Sequence, residues 1–266
     1  MDFPLLKSVE QTDEICEKHQ TKLSKLGDRK PFCTECHREK LKLKEKEMLN
    51  TISKNQHLRR TIQTLEKDSI LGDITLWNAS FDNYAADNEE TSYALREAKL
   101  IAADYIDRDR HFNTLLTGVP GVGKSHLAMS ILKVVNENLD PEGSCLFVSI
   151  SDVLRLVKDS FNNPDSKYTE HNMIELLTKA DLLVIDDFGS ESSFQKVGTE
   201  SSEYNQRFLF NVLNARTRTI VTTNLNSAEM RAIYNPKIIS RLFRGVEGHI
   251  IKFSDATSDK RSNFNF

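Results

Sequence analysis

Residues 118–125 read Gly-Val-Pro-Gly-Val-Gly-Lys-Ser, and this octet limits what the chain can fold into more than any other feature. Its glycines let a backbone turn tightly and bring its N–H groups close to an anion, and a lysine and a hydroxyl follow at once. The apolar run 112–117 precedes it and reads as a strand; His126–Val135 follows and reads as a helix. Strand, glycine loop and helix in that order aim a helix N-terminus at whatever the loop holds. Gly118, Gly121 and Gly123 allow the path, with Val119, Pro120 and Val122 between them. Lys124 is placed to reach the β and γ oxygens of a nucleotide such as ATP, Ser125 to offer its hydroxyl to Mg²⁺, and His126 to open the helix. At this level Lys124 is an exposed loop residue that packs against nothing.

A second signal follows about sixty residues later in Asp181-Leu-Leu-Val-Ile-Asp-Asp187. A buried strand that ends in an acid places a carboxylate opposite Ser125, which makes Asp186 the magnesium-side acid. Asp187 stands where a base or water-orienting carboxylate sits in hydrolysing P-loop enzymes. Glu191, four residues on, is the alternative for that role, and Asp187 as a turn-capping residue is the structural one. A later strand ends in Thr222-Thr223-Asn224, where a polar side chain is placed to orient an attacking water.

The remaining periodicity fits the same class. The β-rich runs are 112–117, 145–150, 182–185, 220–223 and 249–253. Helical stretches 125–138, 152–161, 171–179 and 202–215 separate the first four. Alternating strands and helices predict an α/β domain with a five-stranded parallel sheet covered on both faces. Residues 189–202 are polar and read as a loop. No run of eighteen apolar residues occurs and the N-terminus carries no secretory signal, so no membrane span is expected and a reducing cytoplasm is the natural setting.

The N-terminal quarter is different. Residues 1–40 hold three of the four cysteines and are too short to build an apolar core. Cys16-x-x-His19 and Cys33-x-x-Cys36 are two short hooks of soft ligands whose spacing suits a tetrahedral Zn²⁺ site, and metal would supply the folding energy. The alternative is four unmetallated side chains. His37 is a poor substitute for His19, and Cys145 reads as a core residue. Residues 41–70 contain no Gly or Pro up to position 68 and carry a thin apolar series, Leu41, Leu49, Ile52, Leu58, Ile62 and Leu65. They read as a helical linker, either a short coiled coil or a solvated helix. The expected division is 1–40, 41–70 and 71–266. Residues 1–70 carry 15 Lys+Arg against 12 Asp+Glu, and the remainder 21 against 27. Neither part has the basic excess that would by itself indicate nucleic acid.

Taken together, the 118–125 loop, Leu182–Glu191, Thr222-Thr223-Asn224 and Ile239-Ser240-Arg241-Leu242 resemble the AAA+ ATPases of the DnaC/DnaI type, the bacterial and phage helicase loaders. The resemblance covers about 70–266. It implies that Asn224 acts as the sensor 1 residue, that Arg241 is an arginine finger for a neighbouring subunit with Arg244 as its near rival, and that Arg261 is a sensor 2 arginine. It also places Ser80–Tyr84 near the adenine. DnaI-type loaders carry an N-terminal zinc module that engages the helicase, a role that passes to residues 1–40.

The resulting expectation is a slow ATPase that binds a hexameric replicative DNA helicase, assembles as a homo-oligomer in the ATP state, and helps place the helicase on single-stranded DNA. Two rivals stand beside it: a transposase accessory ATPase of the IstB kind, whose members lack such a zinc module, and a nucleotide-gated adaptor that does not hydrolyse ATP. A DNA-binding zinc finger is a further reading of residues 1–40, which lack a recognition-helix pattern and a strong basic cluster.

Overall fold

The computed structural model describes residues 9–193, 200–254, 257 and 260. They divide into a smaller unit that ends at Leu58 and a larger one that begins at Arg59.

The smaller unit opens with a hairpin, β1 (Val9–Ile15) against β2 (Lys22–Leu26), antiparallel with Val9 opposite Leu26 and Ile15 opposite Lys22. Ser24 and Phe32 exchange both backbone hydrogen bonds at 2.8 Å, which folds the chain back after β2 and delivers Cys33. The long helix α1 (Thr34–Arg60) follows. Cys33 and Ser24 are the buried residues among those described up to Leu58. Leu41, Met48, Leu49 and Ile52 are each more than half exposed, so the apolar series of α1 covers no core and its Lys/Glu-rich remainder is solvated.

The helix starts earlier than the sequence pattern indicated, at Thr34 inside the second Cys pair, and stops at Arg60. The last members of the series do different work. In the short helix α2 (Thr64–Asp68), Thr64 and Leu65 are buried, and Leu65 joins the core of the larger unit. Ile70 pairs with the edge of the sheet, donating to Phe147 O at 2.9 Å and accepting from Ser149 N at 2.7 Å. Residues 64–70 therefore pack as part of the larger unit, because Leu65 has an apolar surface to bury against and the residues of α1 do not.

The larger unit contains β3 (Asn113–Thr117), β4 (Cys145–Ser149), β5 (Leu182–Phe188), β6 (Thr219–Thr223) and β7 (Ile250–Lys252). Their order is β4-β5-β6-β3-β7, and every pair is parallel. The five expected strands are present and differ at their ends by a residue or a few. Around them lie α3 (Glu89–Ile106), α4 (Lys124–Asn138), α5 (Ile150–Asp159), α6 (Glu170–Lys179), the single turn α7 (Ser190–Ser193), α8 (Glu200–Asn214), α9 (Ser227–Ile233) and α10 (Pro236–Leu242). One face of the sheet, with Leu116, Phe147, Val184, Ile220 and Ile251, packs on α3 and α4. The other, with Leu115, Leu146, Val148, Leu183, Ile185 and Val221, packs on α5, α6, α8 and α10. Adjacent strand residues face opposite sides, and burial on both faces explains why the strands read as continuous apolar runs.

Helix α3 was not among the expected helices. It begins at a reciprocal cap in which the Asn88 side chain accepts from Thr91 N and the Thr91 hydroxyl serves the Asn88 backbone. It buries Ala94, Ala98, Ile101, Ala102 and Tyr105. Two buried arginines close the ends of helices. Arg216 donates to Leu177 O and Ala180 O at the end of α6, at 2.7 and 2.6 Å, and Arg218 donates to Asp107 O and Arg110 O beyond α3, at 2.7 and 2.8 Å. Each cation satisfies carbonyls that a helix C-terminus leaves unpaired. Among the described residues no helix is long and apolar enough to cross a membrane.

Candidate functional site

The loop between β3 and α4 takes the path its glycines permit. Gly118 has φ +146° and Gly123 φ +95°. A Cβ at Gly118 would lie 2.6 Å from Phe253 Cβ, and one at Gly123 2.7 Å from Tyr84 Cε2. Both positions therefore exclude a side chain on two grounds, conformation and space. Lys124 is not the free loop residue expected from sequence. It is 6% exposed, and its ammonium donates to Gly118 O at 2.8 Å, Val119 O at 2.7 Å and Asn224 Oδ1 at 2.8 Å. The cation thus spans the loop and gathers three oxygens around it.

Three strand ends converge beside it. Because β6 lies between β5 and β3, its C-terminal end separates the acids from the glycine loop. Asp186 is buried at the end of β5. Its Oδ1 accepts from the Thr222 hydroxyl at 2.6 Å, and Thr222 Oγ1 in turn accepts from the Asp187 backbone N–H at 2.9 Å. Burial raises the Asp186 carboxyl above the usual carboxylate range, while the hydroxyls of Thr222 and Ser125 hold it down. The Lys124 ammonium also lowers it, and Ser125 and Asp186 together offer oxygens on one side of the loop. Asp187 sits in the left-handed region at φ +57°, which Asp tolerates better than most residues. Asn224 Nδ2 donates to Asp187 Oδ1 at 3.1 Å. Asn224 therefore links Lys124 on one side to Asp187 on the other.

These groups line one cleft of about 600 Å³, which holds Pro120, Gly121, Gly123, Lys124, Ser125, His126, Asp186, Asp187 and Asn224. The far wall is the 3₁₀ turn Ile74–Asn78 with its approach and the 83–85 stretch. His126 Nε2 lies 2.8 Å from Ser80 O, and its ring meets Tyr84 edge to face at 5.4 Å. The Ser80–Tyr84 stretch is thereby fastened to the first turn of α4, next to the loop.

Glu191 does not join the cleft. It is 7% exposed, and its oxygens accept from Gly189 N at 2.9 Å and from the Tyr234 hydroxyl. Both oxygens are engaged inside the protein, so of Asp187 and Glu191 it is Asp187 that lines the cleft. Arg241 does not line the cleft either. It lies half-buried on α10, with Ile238, Ile239 and Leu242 turned inward, and its Nε donates to Asn214 Oδ1 of α8 at 2.9 Å. Arg244 donates to Arg216 O at 3.2 Å. Arg261 lies outside the described residues. Its neighbour Lys260, which the sequence reading passed over, does reach the cleft. The Lys260 ammonium lies 4.9 Å from the Tyr84 ring centroid, pairs with Asp87 at 3.2 Å and donates to Ala85 O, while its backbone N–H donates to Gly121 O at 3.1 Å.

In the smaller unit Cys16, His19, Cys33 and Cys36 present four ligand atoms within 4.8 Å of one another. Cys16 Sγ and Cys36 Sγ are 3.6 Å apart; His19 Nδ1 is 3.8, 3.6 and 3.3 Å from the sulfurs of Cys16, Cys33 and Cys36. The edge of a tetrahedron with metal–sulfur bonds of about 2.3 Å is about 3.8 Å, so the four atoms match the corners of such a site. The turn after β1 supplies Cys16 and His19, and the entry to α1 supplies Cys33 and Cys36. Glu39, one helical turn beyond Cys36, accepts at 3.1 Å from His19 Nε2 and so fixes which ring nitrogen faces the sulfurs. The Thr21 hydroxyl, 3.4 Å from Cys33 Sγ, and nearby backbone N–H groups bring the Cys33 thiol down to about 6; Cys16 and the other neighbours push Cys36 up to about 11. Thiols this close resist ionising together unless a cation joins them. His37 instead stands edge-on to Phe32 at 5.7 Å.

Fold and cleft together define a P-loop domain of the AAA+ class. The chain belongs to the family described as IstB-like ATP binding protein, whose model matches residues 22–243. It is 31% identical over 172 residues to the replicative helicase loader DnaC of Escherichia coli (strain K12), which is 63% of this chain and 64% of that protein. The match thus spans somewhat less than two thirds of DnaC. It is 27% identical over 221 residues to the uncharacterized protein YdaV of the same strain, covering 82% of this chain and 75% of YdaV. Among solved structures, a DnaC helicase loader superposes with a TM-score of 0.56 at 21% identity, over 68% of this chain and 99% of that one, and DnaI with 0.52 at 18%, over 70% and 95%. At those identities the structural likeness speaks to fold.

Proposed function

We propose that the protein is an ATP-dependent loader of a hexameric replicative DNA helicase, acting in the cytoplasm and placing the helicase on single-stranded DNA. The observation that carries this reading is the pairing, in one chain, of an AAA+ nucleotide cleft homologous to that of DnaC with a separate unit that has little apolar core among its described residues and gathers four side chains able to hold a metal ion. Zn²⁺ suits three thiols and an imidazole better than a hard cation does. A rigid metal-held knob is a fitting handle for a partner protein.

In the cleft, ATP with Mg²⁺ would supply the phosphoanhydride to be cleaved and the Lewis acid that steadies its charge. The chain's own groups have distinct tasks. Backbone N–H groups from 118–125 cradle phosphate oxygens, with the positive end of α4 behind them. Lys124 exchanges the carbonyls of Gly118 and Val119 for phosphate oxygens. Ser125 and Asp186 would hold the metal side, and the Thr222 hydroxyl keeps Asp186 in place. Asp187 orients the attacking water, with Asn224 between it and Lys124. Asp is shorter than Glu by one methylene, and turnover is accordingly slow. Arg241 on α10, which within the chain donates to Asn214, would supply charge to a neighbour's site in an assembly, which would make a homo-oligomer the hydrolysing form.

A second reading, a transposase accessory ATPase, has a specific observation in its favour: the family model that matches is the IstB-like one. The tagged chain should retain purified host helicase on a column in the presence of ATP and Mg²⁺, and Cys33→Ser should lose it. Retention of a transposase and not of helicase would favour the accessory-ATPase reading. Retention of helicase without any ATP turnover would favour the nucleotide-gated adaptor.

A further inference from the structure

The turn that follows β5 is held from two directions. From β6, Thr222 Oγ1 accepts from Asp187 N, the Thr223 hydroxyl donates to Phe188 O at 2.6 Å, and Leu225 packs so tightly on Gly189 that a Cβ there would lie 2.4 Å from Leu225 Cδ1. From the other side, the Glu191 carboxylate accepts from Gly189 N and from Tyr234. Tyr234 is 4% exposed, stands at the C-terminal end of α9, and sets its ring 4.6 Å from that of Phe188. The next residue, Asn235, is the N-cap of α10, the helix that carries Arg241.

A buried carboxylate is a costly way to fill space, and burial does raise the Glu191 carboxyl, opposed by the hydrogen bond from Tyr234. An apolar pair would pack between β5 and α9 without that cost. What Glu191 adds is direction: one oxygen fixes Gly189, two residues from Asp187, and the other fixes the junction of α9 and α10. We infer that Glu191 and Tyr234 are a positioning pair, which holds Asp187 in its strained conformation facing the cleft and ties that turn to the helix bearing Arg241. Neither side chain reaches the cleft, so neither touches nucleotide; they act through Asp187. The inference rests on the hydrolysis reading given above.

The test uses Tyr234→Phe, which removes one hydroxyl and keeps the ring against Phe188, with Glu191→Gln as the second variant. Full-length proteins are compared for ADP and ATP affinity, kcat, KM and melting temperature. The pair predicts affinity and KM within about twofold of wild type and kcat lower by about tenfold or more, since misplacement of a reacting group by an ångström can cost about a hundredfold. It also predicts that the double variant is no worse than the poorer single one, and that Tyr234→Phe adds no loss to the residual turnover of Asp187→Asn. An unchanged kcat in Tyr234→Phe overturns the pair. So does a kcat loss matched by equal losses of affinity and melting temperature, which would mark a purely structural contact, or a full additional loss on top of Asp187→Asn. A wild-type protein with no turnover refutes the hydrolysis reading and the pair with it; turnover in the wild type that Tyr234→Phe leaves intact refutes the pair alone.

Discussion

Lys124→Ala should do more than abolish nucleotide binding: it should also loosen the empty protein. The Lys124 ammonium is 6% exposed and donates to Gly118 O, Val119 O and Asn224 Oδ1 at 2.7–2.8 Å. Hydrogen bonds to a charged group contribute about 1.5–3 kcal/mol each in net terms. The three share one ammonium beside an open cleft, where water replaces part of what is lost, so the total should lie near the value for one such bond, about 1.5–3 kcal/mol. For a unit of roughly 200 residues that corresponds to a fall in melting temperature of about 3–12 °C. The assay must isolate the larger unit, because two units need not melt together. Trp77 is the chain's one tryptophan and packs on the core of the larger unit, so its fluorescence reports that unit. A nucleotide-free Lys124→Ala protein that melts with the wild type would refute the bracing role. Unchanged ATP affinity would refute the site itself.

Four further outcomes follow from the geometry. Asp186→Asn should raise the melting temperature of the nucleotide-free protein at neutral pH while removing Mg²⁺-dependent ATP binding. The sign follows from its raised carboxyl: such a group favours the fold when protonated and loses that contribution as pH rises through its folded value, so the advantage of the Asn variant over wild type should vanish in acid, which melting curves across pH check. Glu39→Gln should weaken metal binding by about 10–100-fold in a competitive chelator titration, since Glu39 orients His19. Metal analysis should find one zinc per chain, and stripping it or making Cys33→Ser should unfold the hairpin unit by amide exchange while Trp77 fluorescence is unaltered. Arg241→Ala and Lys124→Ala proteins, each inactive alone, should regain part of the ATPase rate when mixed under assembling conditions, because some interfaces then pair an intact loop with an intact arginine; an arginine supplied this way can be worth about 10³–10⁵ in rate elsewhere, less in a slow enzyme.

How much of this was legible from sequence depended on how local the chemistry is. The 118–125 loop, the 182–187 strand and the two Cys hooks are contiguous patterns, and each recurs in the structure where it was expected. The five strands were visible because burial on both faces makes them apolar throughout. What sequence concealed is what the fold brings together. The bracing of Lys124 by its own loop carbonyls depends on the loop's curvature. Lys260 and the Ile74–Asn78 wall reach their site from positions with no fixed spacing to the motifs, and Glu39, one turn beyond Cys36, had no visible role until the fold set it beside His19. Glu191 lies close to Asp187 in sequence and suggested a spare base, but its partner Tyr234 is 43 residues away and turns it inward. The apolar series through 41–65 suggested one linker, yet Leu65 packs in a core and Leu41, Leu49 and Ile52 stay exposed, a difference set by what lies opposite each and not by the residues themselves. Helix α3 went unrecognised because half of its buried face is alanine, which carries little hydrophobic contrast.

The most direct measurement is transfer of the helicase to closed circles of single-stranded DNA. The host's purified helicase hexamer, the protein and ATP·Mg²⁺ are incubated with circles, which have no end for a ring to thread. Helicase that travels with the circles through a large-pore column is then measured. The account predicts that this fraction rises several-fold with the wild-type protein, and not with Lys124→Ala, which lacks the nucleotide, or Cys33→Ser, which lacks the metal-held unit. Circles that acquire no helicase, although the protein binds both helicase and ATP, would contradict it.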